Sequence, residues 1–248
     1  MMNRRFYVHN DQIKAGHAEI TGGEAHHLAT VLRLTPGEVI TLITSTSNMW
    51  EARIETISPQ KIRLALMQNI PAVRSSTSIV VAQAMVKARK MDLLVRQLTE
   101  LGIAGFRPFF SSRSIPAPQA AKMKARRERW ARISRAAAKQ CGVTHLPDIY
   151  PATDFQTVLD EAQSSDLKLI FWESKADEAV KPAGMESGAE PAAIFLVLGP
   201  EGGFTPDEIA LAGENGFQTA GLGPRVLRAE TAAVAATVLA QYWWGDWG

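Results

Sequence analysis

Residues Ala192-Ala193-Ile194-Phe195-Leu196-Val197-Leu198 are apolar at every position. A strand with one wet face alternates polar and apolar residues. An unbroken apolar run therefore fits a strand covered on both faces, as in a parallel sheet flanked by helices. The chain around it has the matching rhythm. Ile79 to Ala84, Phe106 to Phe110, Leu167 to Trp172 and Phe217 to Leu222 read as strands. Helical spacing joins Met91, Leu94, Leu98 and Leu101, with Gly102 at the expected C-cap; Gln119 to Cys141 puts Met123, Trp130, Ile133 and Ala137 on one face; Phe155 to Gln163 reads as a third helix. Thr205 as N-cap, Pro206 and Glu208 mark a helix start, that helix ends near Asn215-Gly216, and Ala229 to Trp244 is the last helix. Strands alternating with helices predict an α/β domain with a mostly parallel sheet.

The first 72 residues follow a different pattern. Arg5 to Val8 is a short strand candidate, and Val39 to Thr44 is a strand entered through the turn Thr35-Pro36-Gly37. Trp50 to Ile57 and Lys61 to Met67 alternate polar and apolar residues, as half-buried strands do. Between them Gly22-Gly23-Glu24 leads into a short helix through Leu32. Short strands at this spacing suggest a small barrel. The polar, proline-bearing stretch 69–78 is the expected linker, which divides the chain into domains 1–72 and 73–248.

No apolar stretch approaches the roughly 18 residues of a membrane span, and the N-terminal MMNRRFYVHN lacks the apolar core of a secretory signal. The single cysteine, Cys141, permits neither an internal disulfide nor a multi-cysteine zinc site and fits a reducing cytoplasm. His26-His27 has no partner cluster, so no metal is expected. The net charge of +2 conceals an asymmetry: residues 1–150 hold 22 Lys/Arg against 10 Asp/Glu, and residues 151–215 hold 3 against 13. A basic half beside an acidic one suggests a polyanion that touches part of the surface, although solvated helices can carry such charge for no further reason.

Two loops carry the chemistry. One is Leu198-Gly199-Pro200-Glu201-Gly202-Gly203-Phe204, and the other is Leu222-Gly223-Pro224-Arg225-Val226-Leu227-Arg228-Ala229-Glu230-Thr231. Both follow late strands, where open α/β sheets place ligands. Their glycines let backbone approach a ligand, and the helix starts offer amide donors. Neither the GxGxxG pattern nor the GxxxxGK[ST] phosphate loop is present, so the residues alone indicate a nucleotide-like pocket and nothing narrower.

Taken together the loops resemble the paired signature of the RsmE family, within the SPOUT class of methyltransferases. Gly22-Gly23-Glu24-Ala25-His26-His27 and Val31-Leu32-Arg33 resemble that family's N-terminal module. Lys87, Lys90-Met91-Asp92, Thr99-Glu100-Leu101-Gly102, Pro108, Arg113-Ser114 and Trp172-Glu173 resemble its middle motifs. The chain departs from the family at Arg96-Gln97, where Gln-Lys is usual, and at Lys139-Gln140-Cys141-Gly142-Val143, where Glu-Gln-x-x-Arg is usual. The resemblance implies a PUA-like β-barrel followed by a SPOUT α/β domain with a deep trefoil knot, a rare exception to the avoidance of knots. It also implies a homodimer, with the aromatic tail Tyr242-Trp243-Trp244 and Trp247 suited to an interface.

The activity implied is transfer of a methyl group from S-adenosylmethionine to N3 of one uridine in small-subunit ribosomal RNA. Leu198, Gly199, Pro200, Gly202, Gly203, Leu222, Gly223, Val226 and Leu227 would then line the cofactor, with polar contacts from Glu201 and Thr231. Thr231 could equally bond local backbone, and Glu201 could simply answer a helix N-terminus. Arg225 and Arg228 suit the charge that develops on the oxygens beside N3. Glu230 is either a proton acceptor or a first-turn acid favoured by the helix dipole. Because N3 lies on the pairing edge, the base must be unpaired or extruded, which demands grip on the surrounding RNA. Arg5, Arg33, Lys87, Arg113, Lys124, Arg127 and Arg135 are the candidate contacts, with Arg4, Lys122, Arg126, Arg129, Arg132 and Lys139 beside them. An inactive RNA-binding protein of the same fold, or an enzyme for another nucleotide, would share these residues.

Overall fold

A computed structural model describes residues 5–44, 48–71, 77–116, 119–143, 145–173 and 190–247. Arg4, half of the expected linker and nearly all of the loop 174–191 lie outside the described residues. The chain divides into two compact units, 1–74 with 138–146 and 75–137 with 147–248.

The first unit is a six-stranded sheet. Its strands are β1 (Arg5–Val8), β2 (Ile13–Lys14), β3 (His17–Thr21), β4 (Val39–Thr44), β5 (Met49–Ile57) and β6 (Lys61–Ile70), in the order β1-β4-β5-β6-β3-β2. Only the β1–β4 pairing is parallel. Phe6, Val8, Ile20, Leu28, Ile40, Leu42, Ile54, Ile62 and Leu64 form its core. The sequence reading missed β3, although Ala18 and Ile20 point inward while His17 and Glu19 point out. Five residues with only two apolar members give a weak signal of alternation. The expected helix after Gly22 is α1 (Gly22–His26), which passes into a π-type turn over His27–Val31. Arg33 follows with a positive φ of 50°, a conformation uncommon outside glycine.

Residues 138–146 pack with this unit. The Arg5 guanidinium donates to the Gly142 carbonyl, Tyr7 Oη donates to Val143 O at 2.7 Å, and Lys139 Nζ lies 2.6 and 2.7 Å from the two carboxylate oxygens of Glu24. Burial above all holds the Tyr7 phenol in its protonated form. Lys139, one of the residues at which the sequence departs from the resemblance, thus meets an acid of this chain's own.

The second unit is a parallel sheet of seven strands: β7 (Ser78–Ala84), β8 (Gly105–Phe110), β9 (Asp148–Ile149), β10 (Thr153–Asp154), β11 (Leu167–Phe171), β12 (Ala193–Leu198) and β13 (Gln218–Ala220). The order is β10-β8-β7-β12-β11-β13, with β9 also paired to β8. Its helices are α2 (Ala88–Glu100), α3 (Ala120–Cys141), α4 (Phe155–Glu161), α5 (Pro206–Glu214) and α6 (Ala229–Trp244).

The apolar run of β12 divides by parity. Ile194, Leu196 and Leu198 face one core with residues of α2, α3 and α6, and Phe195 and Val197 face the other with residues of α4 and α5. This is the arrangement a continuous apolar strand demands. Trp130 of α3 is buried edge-on against Phe106, with ring centroids 6.1 Å apart. Two short strands on the outer edge, β9 and β10, were not legible beforehand, since two residues carry no period. β13 is shorter than the expected 217–222, and the released Leu222 lines a cleft instead.

Candidate active site

The ends of β11 and β12 and the segment between β13 and α6 enclose a cleft of 410 Å³, within the range that holds a cofactor of nucleotide size. The two loops singled out in the sequence meet there. Leu198, Gly199, Pro200, Glu201 and Gly203 line it from one loop, and Leu222, Gly223, Arg225, Val226, Leu227 and Arg228 from the other. Phe171, Trp172 and Glu173 complete it from β11, and Lys90 from α2. Three expected residues take other places. Gly202 faces Arg113, Thr231 is exposed on α6, and Glu230 reaches the cleft through Lys90.

Local chemistry explains the glycine loop. Gly203 has φ +67°, and a Cβ there would overlap the Glu173 carboxylate. A Cβ on Gly202 would stand 3.1 Å from Arg113 Cβ. Thr205 caps α5 by accepting from Glu208 N at 3.2 Å, while Glu208 Oε2 accepts from Thr205 N at 2.9 Å. This is the capping box read from the sequence. Its second use was not readable: Glu208 Oε1 accepts from Ser112 N at 2.8 Å. Arg113 Nη1 donates to Gly202 O at 3.0 Å and stands 3.4 Å from Phe204 O. The 111–114 loop therefore braces the glycine loop. Gln83 in β7 braces it from beneath: Nε2 donates to Gly199 O at 2.9 Å, while the buried Oε1 has no hydrogen-bond partner.

This geometry gives Arg113 work inside the protein. Arg113→Ala removes a charged donor from Gly202, a loss of about 1–3 kcal/mol. S-adenosylmethionine affinity should fall several-fold or more in calorimetry, while RNA affinity changes less. The reverse order of losses would return Arg113 to the RNA surface.

The charges around the cleft are paired. Lys90 Nζ lies 3.2 Å from Glu201 Oε1 and 3.0 Å from Glu230 Oε2. The second approach is an ion pair without an aligned hydrogen bond, since Glu230 Oε2 keeps an unfilled lone pair. The contact with Glu230, opposed by partial burial and reinforced by Glu201, raises the Lys90 pKa. Partial burial pushes the Glu230 carboxyl up, but its own backbone amide, Lys90 and Arg228 outweigh that and leave it below its ordinary value. A carboxyl made less basic is a poor proton acceptor. Arg225 and Arg228 are exposed along the cleft.

The expected RNA contacts fall in both units. Arg33 is exposed in the first, and Arg5 is half-buried on Gly142. In the second, Lys87 is exposed at the N-cap of α2, and Lys124 and Arg135 are exposed on α3. Arg127 Nε donates to Ile149 O at 2.7 Å, and Arg129 pairs with Asp92 at 2.8 Å. Among the described residues no group of three or more His, Cys, Asp and Glu stands together as metal ligands, and no helix is long and apolar enough to cross a membrane.

Comparison with known proteins agrees with this geometry. Residues 73–241 match the model of an RNA methyltransferase domain, and residues 20–67 match an RNA methyltransferase PUA domain. Ribosomal RNA small subunit methyltransferase E of Bacillus subtilis is 29% identical over 227 residues, covering 90% of this chain and 89% of that one. The protein of the same name from Synechocystis is 29% identical over 239 residues, 95% of this chain and 76% of its own. The crystal structure of ribosomal RNA small subunit methyltransferase E from Neisseria gonorrhoeae, bound to S-adenosylmethionine, superposes with a TM-score of 0.85 at 28% identity, covering 98% of this chain and 99% of the other. The chain belongs to the RsmE family of S-adenosylmethionine-dependent methyltransferases of small-subunit ribosomal RNA.

Proposed function

We propose that the atom methylated is N3 of one uridine, and that the enzyme works as a cytoplasmic homodimer with a trefoil knot around its cofactor. The observation that carries this reading is the cleft itself, which joins a glycine cradle and an apolar wall to two exposed arginines. S-adenosylmethionine fits on chemistry. Leu198, Leu222 and Leu227 offer apolar contacts, Glu173 and Glu201 answer its positive charges, and the bare backbone of Gly203 lets the Glu173 carboxylate stand against the glycine loop at the edge of the cleft. When bound, it supplies an electrophilic methyl group.

The chain's own residues prepare the acceptor. Uracil N3 carries a weakly acidic proton and lies between two carbonyl oxygens. Methylation places negative charge on those oxygens as the proton leaves, so preorganised donors beside them lower the barrier. Arg225 and Arg228 are placed along the cleft for this. Glu230 orders Lys90 and leaves the proton to solvent. The knot is supported by the path of the chain. β13 pairs with β11, beyond β12, and α6 then packs on α2, β7 and β12. The dimer is supported by Val226, Tyr242 and Trp247, at 82%, 59% and 51% exposure.

The test is to incubate the protein with labelled S-adenosylmethionine and small subunits lacking this modification, digest the RNA and identify the nucleoside by mass spectrometry. We expect 3-methyluridine. A different methylated nucleoside would replace the uridine reading, and cofactor binding without any methylation would send the search to other RNAs.

A further inference from the structure

We propose that Lys90 is a catalytic residue whose ammonium donates to one of the two carbonyl oxygens flanking uracil N3, with Glu201 and Glu230 as its positioning residues. The proposal rests on the uridine-N3 reading above.

Lys90 lines the cleft on a side chain that is 26% exposed. An ammonium has three N–H donors. Its partners among the described residues are two carboxylates, Glu201 and Glu230, which leaves a donor for the cleft. The cofactor offers a cation only its carboxylate, because the sulfonium and ammonium of S-adenosylmethionine repel it. A cation is well suited to a neighbour that turns negative. In the transfer the N3–H bond breaks and its proton leaves to water. The freed electron pair forms the N3–CH3 bond, and the C–S pair stays on sulfur as that bond breaks. Charge spreads meanwhile over both flanking oxygens, which call for two donors. The pair Arg225 and Arg228 serves one and Lys90 the other. The two acids fix the ammonium in place without neutralising its last N–H, so no reorganisation is needed when the charge appears.

The charged groups around Lys90 come from every wall. Glu201 follows β12, Glu230 opens α6, Glu173 follows β11, and Arg225 and Arg228 precede α6. Lys90 stays an ammonium and Glu230 a carboxylate through the neutral range. The pH response in that range therefore reports the acidity of the bound uracil.

The experiment compares wild type, Lys90→Met and Lys90→Arg. Calorimetry measures S-adenosylmethionine affinity, and single-turnover methylation of small subunits is followed against pH. The rates are repeated on subunits reconstituted with RNA that carries 5-fluorouridine in place of uridine, whose N3–H is more acidic. Lys90→Met should bind S-adenosylmethionine within a few-fold of wild type and lose about a hundredfold in rate near neutral pH. Its rate should go on rising to higher pH than that of wild type, and the fluorinated substrate should recover much of the loss. Lys90→Arg should lie between. A loss of S-adenosylmethionine affinity as large as the loss of rate overturns the proposal and assigns Lys90 to the cofactor. So does a loss equal at every pH with no recovery on the fluorinated RNA, which would make Lys90 a structural clamp. If wild type forms a nucleoside other than 3-methyluridine, the uridine reading falls and takes this role with it.

Discussion

Arg228→Ala is expected to lower methyl transfer by about a hundredfold or more, with S-adenosylmethionine affinity changed by no more than a few-fold. Arg228 is the N-cap residue of α6, and its side chain is exposed along the cleft rather than spent on the cap. Truncation therefore leaves the helix start intact and removes a donor that acts when charge reaches the uracil oxygens. Single-turnover rates and calorimetry, run on the same preparation, separate the two effects. If S-adenosylmethionine binding collapses with the rate, Arg228 belongs to the cofactor site and another cation serves the base.

The second large effect is expected on the other loop. Gly203→Ala forces a side chain into a left-handed backbone, at a cost of about 1–2 kcal/mol, and drives its Cβ into the Glu173 carboxylate. About 1.4 kcal/mol corresponds to a tenfold change in affinity. The variant should therefore bind S-adenosylmethionine at least about tenfold more weakly. Adding Glu173→Ala relieves the collision and leaves the backbone strain, so the double variant should recover part of the loss. Wild-type affinity in Gly203→Ala would show that the loop moves freely and that the glycine is not needed there.

The parts legible in the sequence were those governed by local or periodic rules. The parity of β12 follows from seven consecutive apolar residues, and the start of α5 follows from Thr205, Pro206 and Glu208. The glycine loops revealed where backbone must come close. What stayed hidden depends on partners far along the chain. Glu208 caps its own helix and also holds Ser112, 96 residues away. Arg113 reads as one more surface cation until Gly202 O is found 3.0 Å from it. Lys90 stood in a recognised motif, but its place between Glu201 and Glu230 follows from strand order, not from spacing. Glu230 was left open between proton acceptor and helix-terminal acid; it stands in the first turn of α6, where its own backbone amide and Lys90 both answer its charge. His17–Thr21 was missed for a different reason, being too short for its alternation to stand out from chance.

The cleft draws its last wall, residues 220–232, from late in the chain. Translation delivers these residues after the first unit and after strands β7 to β12. A nascent chain that has not yet released them can fold its N-terminal sheet, yet it has no enclosed place for a methyl donor. Domains generally fold from the N-terminus during synthesis. A chain cut short before residue 220 would therefore lack one wall of the cleft and should neither hold S-adenosylmethionine nor transfer a methyl group.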